Sequence, residues 1–217
     1  MDLTGKKVGF LGDSITERYS ASTYETCYVA RFAQAHPESK VFNYGISGTK
    51  IARKLKVNPD SMVDKNHFVT RLQKMEDELD LIFVFGGTND YSNGDIPMGK
   101  FGDTTTDSFY GCLYDLSMEL IKKYTRARIV FATPLYRSDV KGATIREDGA
   151  FTLDDYAEAI RENAAYFSFP VLDLRRVSGI QPEIPLIKEK FTADGLHPND
   201  EGHKRLFEII DAYIKSL

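Results

Sequence analysis

The feature that most constrains this chain is a rhythm in which short apolar runs alternate with longer segments whose apolar residues recur at helical spacing. Val8-Gly9-Phe10-Leu11, Val41-Phe42-Asn43-Tyr44, Leu81-Ile82-Phe83-Val84-Phe85, Ile129-Val130-Phe131-Ala132 and Pro170-Val171-Leu172-Asp173 read as five strands. The run from Leu81 to Phe85 is apolar on both faces, as a central strand covered from above and below must be. Between the strands, helical patterns cover Tyr24 to Ala35, Asp107 to Tyr124, a segment N-capped by Thr152 that runs to Tyr166, and Asp200 to Ser216. Strands joined through helices must cross over right-handed, so the series predicts a five-stranded parallel sheet inside a three-layer α/β/α sandwich.

At 217 residues, with no Gly/Ser/Pro linker and no internal repeat, the chain is expected to form a single domain over residues 1–217. Its 42% hydrophobic and 28% charged residues exclude wholesale disorder, collagen and a disulfide-scaffold peptide. Lys and Arg number 28 against 32 Asp and Glu, a net charge of −4 with no basic block, so no nucleic-acid partner is expected. No stretch approaches the roughly 18 apolar residues of a membrane span. The N-terminus lacks a secretory apolar region, which gives a cytoplasmic expectation, although a removed leader would leave the same sequence. Cys27 and Cys112 read as two buried free thiols. There is no phosphate-loop lysine, no dinucleotide glycine pattern and no His/Cys pairing at metal spacing, so neither cofactor nor metal is expected.

Four polar clusters sit where strands end or before the last helix: Gly12-Asp13-Ser14, Asn43-Tyr44-Gly45-Ile46-Ser47-Gly48, Gly86-Gly87-Thr88-Asn89-Asp90 and Asp194-Gly195-Leu196-His197-Pro198-Asn199. Taken singly, each is ordinary turn or helix-capping chemistry. A parallel sheet, however, points all its C-terminal strand ends the same way, so the four can meet on one rim. Two long loops, 91–106 and 136–150, leave the same rim and carry aromatic residues suited to a substrate: Tyr91, Phe101, Tyr136 and, beside them, Phe109, Tyr110 and Phe151.

In these blocks the chain resembles the SGNH/GDSL hydrolase superfamily. Gly12-Asp13-Ser14 is similar to its nucleophile block, Gly45 to its glycine block, Gly87-Thr88-Asn89-Asp90 to its Gly-x-Asn-Asp block, and Asp194-Gly195-Leu196-His197 to its terminal Asp-x-x-His block, all in order. The resemblance implies a flavodoxin-like sheet and a serine esterase without a cofactor. It implies Ser14 as nucleophile and an oxyanion hole built from the Ser14 N–H, the Gly45 N–H and the Asn89 amide. The chemistry agrees: a serine hydroxyl needs a base, and His197 with Asp194 three residues upstream can supply an oriented imidazole. His36 and His67 lack such an acid in sequence, and His203 with Asp200 reads as a solvated contact on a helix. Asp13 and Asp90 are expected to brace their loops.

The expected partner is a small-molecule ester, first of all an acetyl ester such as an O-acetylated carbohydrate, because no long apolar lid is evident. A thioesterase or lysophospholipase using the same residues is the alternative within the class. A catalytically silent small-molecule-binding module is the alternative outside it. Oligomeric state is not written in these features.

Overall fold

The computed structural model describes residues 1–54, 58, 60–139 and 151–217. Strands β1 (Lys7–Gly12), β2 (Lys40–Gly45), β3 (Leu81–Phe85), β4 (Arg128–Ala132) and β5 (Val171–Leu172) form one sheet in the order β2-β1-β3-β4-β5. Every pairing is parallel. This is the flavodoxin-like order, whose direction of winding reverses between β1 and β3 and opens a crevice at their C-terminal ends. Only β5 is shorter than its expected span.

Side chains alternate across the strands and fill two cores. Leu11, Ile82, Val84, Ile129 and Phe131 face one layer; Val8, Phe10, Leu81, Phe83, Phe85 and Val130 face the other. The helices in chain order are α1 (Ser14–Glu17), α2 (Tyr28–Ala35), α3 (Met62–Lys65), α4 (Phe68–Leu72), α5 (Thr88–Asn93), α6 (Phe109–Lys123), α7 (Leu153–Tyr166), α8 (Leu174–Val177), α9 (Pro185–Phe191) and α10 (Asp200–Ser216). The stripes of α4, α6 and α7 cover the first core face; those of α2 and α10 cover the second.

The long helices lie near their expected spans. α7 starts with a capping box in which the Thr152 side chain and Asp155 satisfy each other's backbone N–H groups, and the Asn199 side chain caps α10 at the Gly202 N–H. α2 starts at Tyr28 rather than Tyr24, because Asp200 accepts hydrogen bonds from the Ser22 N–H and the Thr26 hydroxyl and holds that turn outside the helix. The six short helices carry too few turns to show a periodic stripe in sequence. Of the expected 91–106 loop, residues 91–93 belong to α5, and of the expected 136–150 loop, 140–150 lie outside the described residues. Among the described residues no helix is long and apolar enough to cross a membrane.

Candidate active site

β1 ends level with its neighbours: Gly12 is in register with Gly45 on β2 and Phe85 on β3. The chain then turns straight into α1, and a Cβ on Gly12 would overlap the Thr16 side chain, so only glycine permits that turn. Asp13 caps α1 by accepting the Ile15 N–H at 3.1 Å. Ser14 therefore occupies the first position of a helix at the crevice, with its own N–H unpartnered among the described residues.

The Ser14 Oγ lies 3.1 Å from His197 Nε2. The His197 Nδ1 lies 2.7 Å from Asp194 Oδ2, while Asp194 Oδ1 accepts the backbone N–H groups of Leu196 at 2.9 Å and His197 at 2.8 Å. Burial pushes the Asp194 carboxyl up, but the hydrogen bonds from the His197 backbone and ring and from Leu196 outweigh it and hold the acid below its ordinary value. The Nδ1 proton thus faces a carboxylate, and Nε2 is left to accept from the serine hydroxyl. Positions 183 residues apart in sequence meet at the rim.

Asn89 stands in the first turn of α5, at the C-terminal end of β3 that borders the same crevice. Its Nδ2 donates one hydrogen to the Thr49 carbonyl at 3.0 Å, which leaves the second free. Gly45 differs from expectation. Its N–H donates to Asn43 Oδ1 at 2.8 Å and its α-carbon packs against the backbone of Thr16 and Glu17, so it is a tightly packed contact with α1 rather than an open donor. The Gly48 N–H, three residues on, has no acceptor among the described residues and is held at φ +75° next to the Thr49 that Asn89 binds.

Buried groups around the rim fix these loops. Asp90 accepts the Ile51 N–H at 3.1 Å and the Ala52 N–H at 2.8 Å, tying the α5 turn to the loop after β2. Burial raises its carboxyl to about 6 and that of Asp13 to about 7. Both act as braces, as expected. Arg71, which the sequence did not single out, is buried and donates to the carbonyls of Gly12 and Tyr44 and to Thr49 Oγ1, clamping the ends of β1 and β2 and the loop between β2 and α3. Its guanidinium stacks over Phe68 at 4.6 Å. Arg137 does the same for α5 through the carbonyl and hydroxyl of Thr88, at 3.0 and 2.9 Å.

Tyr19 was also missed. Its ring centroid lies 4.3 Å from that of His197 while the residue stays 53% exposed. Arg18 and Ser20, at φ +116° and +67°, flank it, and two non-glycine residues in left-handed conformations on either side of one residue are unusual enough to mark a shaped site. Two histidine readings are corrected. His203 is not solvated: it is fully buried, accepts the Tyr28 N–H at Nδ1 and donates from Nε2 to the Tyr19 carbonyl, each at 3.4 Å. Burial lowers its imidazole to about 4, and Asp200 instead binds Ser22 and Thr26. His36 does have an acid partner, Asp211 of α10 at 2.7 Å, far from the rim in sequence and invisible to local spacing. Cys27 and Cys112 are free and buried. Of the loop aromatics, Phe109 is core, and Phe101 and Tyr110 line a cleft between α6 and α7.

The sequence matches the family model of the GDSL-like lipase/acylhydrolase family over residues 10–205. No curated protein matches it. Among solved structures, a protein from Lactobacillus plantarum is similar over 99% of both chains, with 29% identity and a TM-score of 0.84. The acetyl xylan esterase AlAXEase is similar over 96% of this chain and 99% of its own, with 20% identity and a TM-score of 0.68. A member of the lipolytic protein G-D-S-L family from Veillonella parvula is similar over 97% and 99%, with 17% identity and a TM-score of 0.68. At those last two identities the likeness concerns the fold.

Proposed function

We propose, from the premise that the chain belongs to the GDSL-like lipase/acylhydrolase family and is an ester hydrolase of the SGNH type, that it cleaves small acyl esters through a Ser14 acyl-enzyme. The observation that carries this reading is the continuous hydrogen-bonded series from Ser14 Oγ through His197 to Asp194, at 3.1 and 2.7 Å. As Ser14 Oγ attacks the ester carbonyl, His197 Nε2 takes its proton, and Asp194 stabilises the resulting imidazolium. The tetrahedral oxyanion takes hydrogen bonds from the Ser14 N–H, the free hydrogen of the Asn89 amide and the Gly48 N–H, with Gly48 in the role first expected of Gly45. Collapse expels the alcohol, which takes the proton from His197. Water then repeats the sequence on the acyl-enzyme and releases the acid, restoring the Ser14 hydroxyl.

The acyl group is read as small: the crevice next to the Asp13 turn, lined by Ile15, Phe85, Pro134, Leu135 and Leu196, is too narrow for a long chain among the described residues. The fold likeness to an acetyl xylan esterase agrees with an O-acetylated carbohydrate as the substrate class. Hydrolysis of p-nitrophenyl acetate by the purified protein, and its loss in Ser14→Ala, tests the mechanism; equal rates in the two proteins would sink it. Rates on p-nitrophenyl acetate, butyrate and octanoate test the acyl size. We expect them to fall in that order, and an octanoate preference would overturn the acetyl reading.

A further inference from the structure

Between α6 and α7, away from Ser14, lies a cleft of about 110 Å³ whose walls are the rings of Phe101, Tyr110, Tyr114 and Tyr166. α7 leaves the catalytic rim at Leu153 and runs back toward the start of β5, so Tyr166, 13 residues on, stands about 20 Å from that rim at 1.5 Å per residue. Phe101 and Tyr166 are 53% and 62% exposed, an unusual state for two adjoining large aromatics. The floor is polar. Asn163 is 96% buried by residue surface, and its Nδ2 is anchored to Ser117 Oγ at 2.8 Å, while Oδ1 has no donor among the described residues and is left to the cleft that Asn163 lines. That oxygen is a free acceptor open to the cleft, placed to take a hydrogen bond from a ligand hydroxyl. At the edge, Asp103 uses one carboxylate oxygen for the Lys100 N–H and the Ser108 hydroxyl, and its other oxygen also faces no protein donor.

We infer that this cleft is a second binding site, separate from the catalytic rim, for a single neutral sugar ring. The apolar face of a pyranose stacks on Tyr166 with Phe101 against its edge, while its hydroxyls donate to Asn163 Oδ1 and Asp103. Asp103 and Glu162, which accepts the Tyr110 hydroxyl at 2.5 Å, disfavour an anion. A quaternary ammonium needs rings that enclose a point. Here the rings pack on one another instead, Phe101 against Tyr166 edge-on at 5.9 Å and Tyr114 against Tyr166 at 6.4 Å, which makes an open corner rather than a cage. The inference does not depend on which ester Ser14 cleaves.

Titration of the isotope-labelled protein with methyl β-glucopyranoside, methyl β-xylopyranoside and tetramethylammonium chloride, followed by amide NMR, tests it. At least one glycoside should shift the Asn163 side-chain amide and the backbone of Tyr114 and Tyr166 saturably. Tyr166→Ala or Phe101→Ala should weaken that binding by about tenfold, the scale of a lost aromatic contact, with p-nitrophenyl acetate hydrolysis unchanged. Both positions are exposed, and intact hydrolysis certifies the fold of each variant. Absence of saturable shifts with both glycosides, saturation by tetramethylammonium alone, or full binding in both variants would overturn the proposal.

Discussion

Asn89 is the residue whose removal best separates chemistry from folding. Asn89→Ala deletes a proposed oxyanion donor and one bond to the Thr49 carbonyl, so turnover on p-nitrophenyl acetate should drop by about 10²–10³ while the protein stays folded at 25 °C. Activity within a factor of two of the parent would remove Asn89 from the mechanism. Gly45 has the opposite profile. A methyl group there would collide with the backbone of Thr16 and Glu17, so Gly45→Ala should destabilise by about 3 kcal/mol in urea unfolding, whatever happens to activity. An unshifted unfolding midpoint would show that α1 can move aside. The contrast between the two glycines of one loop is a packing matter: both read alike in sequence, and only the neighbours of Gly45 show that its N–H is already taken by Asn43.

Among the elements, the site rests on the short segments that Arg71 joins. Its side chain, delivered by the five-residue α4, satisfies the carbonyls at the ends of β1 and β2 together with Thr49. Arg71→Met keeps the bulk but strands those acceptors, and should cost about 2–4 kcal/mol and lower turnover as the donor loop loosens. A loss under about 1 kcal/mol would mean that water replaces the guanidinium. The five strands and four long helices were legible because each carries a full apolar stripe or a run apolar on both faces. α4 was not, since five residues of FVTRL hold no repeat, and Arg71 in it looked like any surface charge. α2 was read four residues too long because the bonds from Asp200 that stop it come from the other end of the chain.

Over the whole molecule, buried ionisable groups of opposite kind set the pH response. The imidazoles of His203 and His67 titrate at about 4 when native and near 6.5 when unfolded, so each stabilises the fold above pH 6.5 and loses that contribution as pH falls toward 4. Asp13 and Asp90 run the other way. Their native values of about 7 and 6 exceed the unfolded 3.8, so the stability each adds is complete in acid and is lost as pH rises through that window. The opposing slopes should leave the parent's stability nearly level between pH 4 and 6.5. His203→Gln removes one acid-sensitive group and should therefore gain on the parent, by up to about 1.4 kcal/mol per pH unit, as pH falls across that range. Urea midpoints of both proteins at pH 4.5 and 7.0 measure this, and a pH-independent difference would refute it. By itself the sequence determined the sheet, its parallel sense and the candidate residues Ser14, Asn89, Asp194 and His197 at strand ends and before the last helix, because apolar period and strand-end chemistry are local and survive without neighbours. Only the tertiary structure decided which N–H of the glycine loop is free, that Arg71 and Tyr19 belong to the site, and that His203 is buried, because donor occupancy and desolvation depend on groups brought close from distant parts of the chain.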